Sequence, residues 1–143
     1  MISTFIKNAL ITFLVFITPI KGMLLLVSFA VAFDTLFAIY VSVKLKGISS
    51  FKSTKLFNIV VKTFFYMSTI VFSFLIDKYI FEGKILDIYY LISKIITFLW
   101  LYIEIKSIDE TSMKLGNRSL WVILKEIINK GKDLKKDINE IKD

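Results

Sequence analysis

Four long apolar runs, separated by short charged stretches, constrain the fold of this chain more than any other feature. A soluble domain of 143 residues, 56% of them hydrophobic, cannot bury runs of this length, whereas a transmembrane helix needs about 20 apolar residues. The sequence therefore predicts an all-α integral membrane protein, with a transmembrane domain over residues 1–104 and a charged amphipathic helical tail over residues 105–143. The predicted spans cover about residues 4–20, 22–43, 59–76 and 85–103.

The first run is short for a helix that crosses a bilayer. With Lys7 near its start it is similar to a signal peptide, but residues 19–22 (Pro-Ile-Lys-Gly) lack the small-x-small cleavage pattern, and a second apolar run follows at once. We therefore expect a retained span, a tight turn at residues 19–22, and four transmembrane helices in total. A re-entrant or interfacial first segment is the alternative, and it would leave three transmembrane helices.

The stretches between the runs differ in charge. Residues 77–87 contain two lysines and three acidic residues, whereas residues 44–62 contain five lysines and no acidic residue. Because basic loops stay on the cytoplasmic side, we expect this loop and, with four spans, both termini to be cytoplasmic. The same side chains are candidates for contact with anionic lipid head groups. The lysines of this loop are Lys44, Lys46, Lys52, Lys55 and Lys62.

Asp34 is the one charged residue in the interior of the second run. A carboxylate at that depth costs at least about 2.5–3.5 kcal/mol, so it should face protein, water or an opposite charge. Small residues share its helical stripe and favour close helix contact: Ala30, Ala38 and Ser42. Lys94, in the fourth run, is the predicted partner of Asp34, within one chain or between chains. The alternatives are a purely structural Asp34 and a Lys94 that snorkels to the interface.

The charged tail also contains a regular apolar pattern. Apolar residues recur at alternating steps of four and three, interrupted only by Gly131: Leu120, Leu124, Ile127, Leu134, Ile138 and Ile141. This heptad pattern predicts a helix that begins near Asn117 or Ser119, either of which could cap it. Trp121 and Ile128 widen the apolar face, so the helix either mediates self-association or lies on the membrane surface.

The residue types present argue against an enzyme. The chain has no Cys and no His, which removes thiol nucleophiles, disulfides and the commonest zinc ligands. It also has no glycine-rich phosphate loop and no nucleophile elbow. We expect no catalytic residue, no cofactor and no metal. The net charge of +7 is better explained by membrane topology and lipid contact than by nucleic-acid binding.

Short motifs occur in order along residues 19–140. Residues 19–22 precede residues 34–39 (Asp-Thr-Leu-Phe-Ala-Ile) and the basic loop with its Ser49-Ser50 pair. Further on, Asp77 ends the third run, and residues 104–111 (Glu-Ile-Lys-Ser-Ile-Asp-Glu-Thr) follow the fourth. This order and spacing resembles the phage holin family of the toxin-secretion and phage-lysis type. In that family Gly is usual at the position of Ala38 and Asn at the position of Thr111, and the first apolar run is not general.

The resemblance implies a phage-type holin that forms homo-oligomers in the host cytoplasmic membrane and permeabilises it to release an endolysin at lysis. Lipids, further copies and an antiholin would be its partners. On this interpretation Ala30, Asp34, Ala38 and Lys94 support assembly, and the tail sets the timing. Three alternatives remain open: an antiholin or other regulator, a scaffolding membrane protein whose tail binds a partner, and a small oligomeric channel or transporter.

Overall fold

The chain folds mainly into helices. The computed structural model describes residues 2–50, 53–119, 121–122 and 125–133, and the helical content fits the predicted all-α class. The long helices are α1 (Ile2–Phe16), α2 (Lys21–Lys46), α3 (Ser53–Tyr79) and α4 (Leu91–Met113). Short 3-10 turns occupy Thr18–Ile20 and Ile48–Ser50, two strands β1 (Lys84–Ile85) and β2 (Ile88–Tyr89) join α3 to α4, and residues 121–122 and 125–133 are helical.

The ends of α2 follow from two residues with restricted or unusual backbone requirements. Pro19 lacks a backbone N–H and lies in the 3-10 turn between α1 and α2, where it interrupts the helical hydrogen bonds. At the other end Gly47 has a φ of 80° and its N–H donates to the carbonyl of Val43 over 2.8 Å. A positive φ is easiest for glycine, so α2 ends at this point. The turn predicted at residues 19–22 is present, centred slightly earlier.

The apolar stretch after α3 is not helical at its start. Lys84 pairs with Tyr89 and Ile85 with Ile88 in an antiparallel hairpin. The two residues of its loop, Leu86 and Asp87, have φ values of 49° and 65°, as a two-residue hairpin turn requires. Because of this hairpin, α4 begins at Leu91 instead of at residue 85 as predicted.

Helices α2, α3 and α4 form a bundle in which α3 runs antiparallel to the other two. Residues near the start of α3 lie close to the later parts of α2 and α4, and the end of α3 lies close to the starts of both. The core between them is fully buried at Ile20, Val27, Val31, Ile70 and Phe74. The second halves of α2 and α4 therefore point to the same end of the bundle, next to the connection between α2 and α3.

Helix α1 lies largely outside this bundle. It contains no buried residue, and large apolar side chains are exposed along its length, including Phe5, Leu10 and Leu14. Its packing is concentrated at its last turn, where the Phe16 ring meets Phe74 edge to face at a centroid distance of 5.4 Å. An apolar helix exposed on all sides needs lipid or another protein surface around it.

Two helical stretches, Thr18–Lys46 and Leu56–Tyr79, are long and apolar enough to cross a membrane. Helix α1 is apolar but shorter, with 15 residues. Helix α4 continues through residue 104, where the sequence predicted the end of the transmembrane domain, and reaches Met113. Among the described residues, two helices therefore meet the length and composition of a membrane span.

A carboxylate from α3 caps the beginning of α4. Tyr90, the residue that precedes α4, contributes no side-chain cap. Instead Asp77 accepts hydrogen bonds from the backbone N–H of Ile92 (3.1 Å) and from both the N–H (2.8 Å) and the hydroxyl (2.7 Å) of Ser93. Asp77 and Ser93 are both fully buried. The negative charge also lies at the positive end of the helix dipole, so this contact fixes α4 against α3.

We expect Asp77→Ala to destabilise the bundle by about 2 kcal/mol, because the N–H groups of Ile92 and Ser93 and the Ser93 hydroxyl lose their acceptor. Unfolding in mixed detergent micelles, followed by far-ultraviolet circular dichroism, would measure this cost. Glu110→Ala is the matched control, since it removes an exposed carboxylate from α4, the helix that Asp77 caps. Equal stability of the two variants would mean that Asp77 does not hold α4 in place.

Candidate functional site

Three charged side chains from three helices meet inside the bundle. The ammonium of Lys62, on α3, lies 2.8 Å from each of the two carboxylate oxygens of Glu104, on α4, and donates a hydrogen bond to Oε2. The same ammonium lies 3.5 Å from Oδ2 of Asp34, on α2. We call these three residues the charge cluster. Lys62 is the only one of them that contacts both others, so it connects all three helices.

The helical periodicity explains why these side chains face each other. Asp34 continues a buried stripe with Val27 and Val31, and Glu104 continues one with Ser93 and Thr97. Residues at these spacings of three, four or seven share one face of a helix. The polar residues of α4 therefore face inward, whereas Phe98 and Tyr102 on its other face are exposed.

Burial differs among the members of the charge cluster. Glu104 is 0% exposed and Asp34 is 6% exposed, whereas 32% of the Lys62 side chain remains exposed. Within the part of the chain that the structure describes, Asp34 Oδ1 and Glu104 Oε1 accept no hydrogen bond. Two carboxylates thus share a single ammonium, and the charge cluster carries a net negative charge. Such an arrangement is expensive to bury and depends strongly on Lys62.

Aromatic side chains form one wall of the charge cluster. The Tyr66 ring lies 5.7 Å from the Lys62 ammonium. Trp100 stacks on Tyr66 at a centroid distance of 4.0 Å, and its indole N–H donates to the hydroxyl of Thr69 over 2.8 Å. These contacts place a weakly polar aromatic surface on one side of the Lys62–Glu104 pair, which strengthens the electrostatic interaction between them.

A shallow cleft of about 230 Å³ opens beside Asp34 and Lys62, between α2 and α3. Its polar side chains, besides these two, are Thr35 and Asn58, and Ala38 contributes a small side chain to its wall. The partly exposed Lys62 side chain borders this cleft, so the charge cluster is accessible from outside the bundle at this point. It is large enough for water or a small ion.

The structure contradicts the predicted Asp34–Lys94 pair within one chain. Because α4 begins at Leu91, Lys94 lies in its first turn and is exposed, whereas the residue that contacts Asp34 is Lys62. Lys62, counted among the loop lysines although the predicted third span over residues 59–76 includes it, lies within α3. Sequence reasoning missed Glu104 for a related reason: charges at the edges of apolar runs were interpreted as the ends of spans.

The other predicted residues occupy varied positions. Ala30, Ala38 and Ser42 are half-buried, and their predicted role in assembly between copies stays a prediction. Lys44 and Lys46 are exposed in the last turn of α2. Ile127 is exposed in the helical part of the tail. The remaining predicted positions, or the side chain in the case of Lys55, lie outside the described residues: Lys52, Lys55, Leu120, Leu124, Leu134, Ile138 and Ile141.

Across residues 2–50, 53–119, 121–122 and 125–133, no group of three or more His, Cys, Asp or Glu side chains is arranged to hold a metal ion. The charge cluster holds two carboxylates, and a lysine ammonium already occupies the space between them. The three charges contact each other inside an apolar bundle, so they favour the one packing of the helices in which these contacts form. A change in that packing would separate the charges.

We expect Lys62→Met to destabilise the bundle by about 3 kcal/mol, because it leaves two buried carboxylates without a counter-charge. Adding Asp34→Asn and Glu104→Gln to Lys62→Met should recover most of this loss, since neutral side chains replace all three charges. Reversible unfolding in mixed micelles would give the three free energies.

Lys94→Met is the matched control, because it removes the same charge from an exposed position in α4. We expect it to change the free energy of unfolding by less than about 1 kcal/mol. A larger loss for Lys94→Met than for Lys62→Met would contradict the assignment of the charge cluster.

No protein-family model matches the chain. Comparison with curated proteins and with solved structures gives no significant match. The evidence on function therefore comes from the chain itself: its short motifs, its apolar helices and the contacts of the charge cluster.

Proposed function

We propose that this chain is a holin-type protein that self-associates in the cytoplasmic membrane of a bacterial host and permeabilises it. In this proposal the membrane protein is multi-pass, and helices α2, α3 and α4 cross the bilayer. Both termini are cytoplasmic when α1 also crosses it, whereas an α1 that lies in the interface would leave the N-terminus on the opposite side. The partners are lipids, further copies of the chain and an antiholin, and nucleic acid is not among them.

The charge cluster is the observation that carries this proposal. Charged side chains within apolar helices are costly in a bilayer and usually serve a function. Here Lys62 contacts both Asp34 and Glu104 within a single copy, so both buried carboxylates lie beside a positive charge while the protein accumulates. The same three side chains can pair between copies or face water once the helices rearrange. A cluster that is buried in one copy could therefore line an aqueous lesion in an assembly.

The apolar exterior supports self-association in lipid. Helix α1 has no buried residue, and large side chains such as Phe29, Phe64 and Phe98 are exposed on the other three helices. In water these surfaces would aggregate, whereas in a bilayer they are covered by lipid chains. Helix association in a bilayer depends on packing and polar contacts. Because α1 packs little against its own bundle, its surface is available to pack against further copies.

The charge distribution supports the proposed orientation. Lys44 and Lys46 are exposed at the end of α2, which lies at the same end of the bundle as the end of α4. The opposite end includes exposed Glu82 and the hairpin, where Asp87 pairs with Lys84, together with exposed Lys21 and Lys78. The proposed orientation therefore rests on residues 44–62, whose five lysines and lack of acidic residues favour the cytoplasmic side and would make the tail that follows α4 cytoplasmic.

A small oligomeric channel is the second candidate function, and the cleft beside Asp34 and Lys62 favours it. Intramembrane charges that border a cleft are typical of ion pathways. The two functions differ in what passes through the membrane: a channel conducts small ions selectively, whereas a holin releases whole enzymes.

Inducible expression in a bacterium, with and without a co-expressed cytoplasmic endolysin, tests the proposal. We expect an abrupt, delayed loss of viability, with lysis only when the endolysin is present. Culture density and viable counts measure both effects. Lys62→Met should shift or abolish the onset, because it disrupts the charge cluster, whereas Lys106→Met, at an exposed position of α4 with no predicted role in assembly, should keep it.

Membrane fractionation is the control for protein amount in each culture. Continued growth with the unaltered protein verified in the membrane would refute the proposed function. Loss of viability through selective ion conductance, without release of the endolysin, would support the channel instead.

A further inference from the structure

The tail begins with a defined helix start at the end of α4. The hydroxyl of Ser119 accepts a hydrogen bond from the N–H of Trp121 (3.2 Å) and donates to Oδ2 of Asp109 in α4 (2.7 Å). Arg118 contacts both carboxylate oxygens of Glu126 at 3.0 and 3.2 Å. Ser119 thus caps the helix, as one of the two predicted candidates, and links its start to α4. We call the helical residues 121–122 and 125–133 the tail helix.

One face of the tail helix is apolar and exposed. Trp121, Ile127 and Ile128 are 64%, 60% and 56% exposed, so none of them packs tightly against the described bundle. Ile127 and Ile128 are neighbours on the helical residues 125–133, and Trp121 lies close to this segment through its contact with Lys125. Exposed apolar side chains of this size, close together, indicate a surface that is covered in the native environment.

The charged residues of the tail helix are segregated around this apolar face. Lys125 and Lys132 border it on one side, and Lys130 lies towards the other side. Glu126 and Asp133 lie on the opposite side of the helix, and Glu126 is engaged by Arg118. The Lys125 ammonium also lies 5.5 Å from the centre of the Trp121 ring. Lysines beside an apolar face, with acids remote from it, are typical of helices that lie on anionic membranes.

We infer that the tail helix binds the surface of an anionic membrane, with Trp121, Ile127 and Ile128 at the boundary between head groups and acyl chains. Its lysines contact lipid phosphates. The position fits, because α4 and α2 end at the same end of the bundle, where Lys44 and Lys46 are also exposed. This inference rests on the membrane location in the proposed function, but it does not depend on permeabilisation.

Membrane attachment gives the tail a regulatory consequence. While the tail helix lies on lipid, its apolar face is unavailable to other copies, and the start of the tail helix is held near the end of α4 by Ser119 and Asp109. Release from the surface would free that face for contact between tails. The apolar face of the tail helix can therefore contact either lipid or another tail, but not both at once.

Site-specific fluorescence of the full chain in vesicles tests the inference. The chain has no native Cys, so Ile128→Cys and Asp133→Cys each provide a single site for an environment-sensitive dye. Asp133→Cys is the matched control on the opposite side of the helix. In vesicles of phosphatidylcholine with phosphatidylglycerol, we expect blue-shifted emission at position 128 but not at position 133. Lysine removal (Lys125→Gln, Lys130→Gln, Lys132→Gln) should lower the bound-to-free ratio of the tail about fivefold per lysine.

Three results would overturn the inference. The first is equal emission at positions 128 and 133. The second is the same blue shift in vesicles of phosphatidylcholine alone, with no loss at high salt, because lipid charge would then play no part. The third is a shift at position 128 that grows with the protein-to-lipid ratio and accompanies disulfide formation between Ile128→Cys chains, because another tail would then cover the face. None of these readouts depends on lysis, so failure of the proposed function would be seen separately.

Discussion

The ammonium of Lys62 is the interaction on which the packing of this protein depends. It lies between a carboxylate of α2 and a carboxylate of α4, so it joins two helices that would otherwise bring two negative charges together. A buried pair of this kind adds little net stability compared with apolar residues of the same shape, but it makes any packing that separates the partners costly. The charge cluster therefore specifies which helices meet, and in which register.

The remaining polar contacts in the bundle act in the same way. Asp77 caps α4 from α3, and Trp100 donates to Thr69 across the same two helices. Since the outer surfaces of the helices are apolar and exposed, these inward polar contacts supply the directional part of the packing. In a lipid environment, where apolar surfaces give no preference between lipid and protein, such contacts decide how helices associate.

Sequence reasoning identified the apolar helices because hydropathy and length are enough to recognise them. It also found Asp34 as an unusual charge, the turn near Pro19 and Ser119 as a candidate cap. The partner of Asp34 was missed because the rotation and register of one helix against another are not encoded in hydropathy. Lys62 and Glu104 stand at the edges of apolar runs, where charges usually end a span. The hairpin was missed because Leu86 and Tyr90 adopt positive φ values that those residue types seldom take.

The hairpin between α3 and α4 has a consequence for how the chain is made. Helix α4 carries Lys94, Glu104 and Lys106, and a segment with these charges enters a bilayer poorly by itself. The tight β1–β2 connection places it beside α3, where Asp77 caps its first turn and Lys62 contacts its Glu104 carboxylate. If α4 crosses a membrane as proposed, it should therefore enter the bilayer together with α3, as a helical pair.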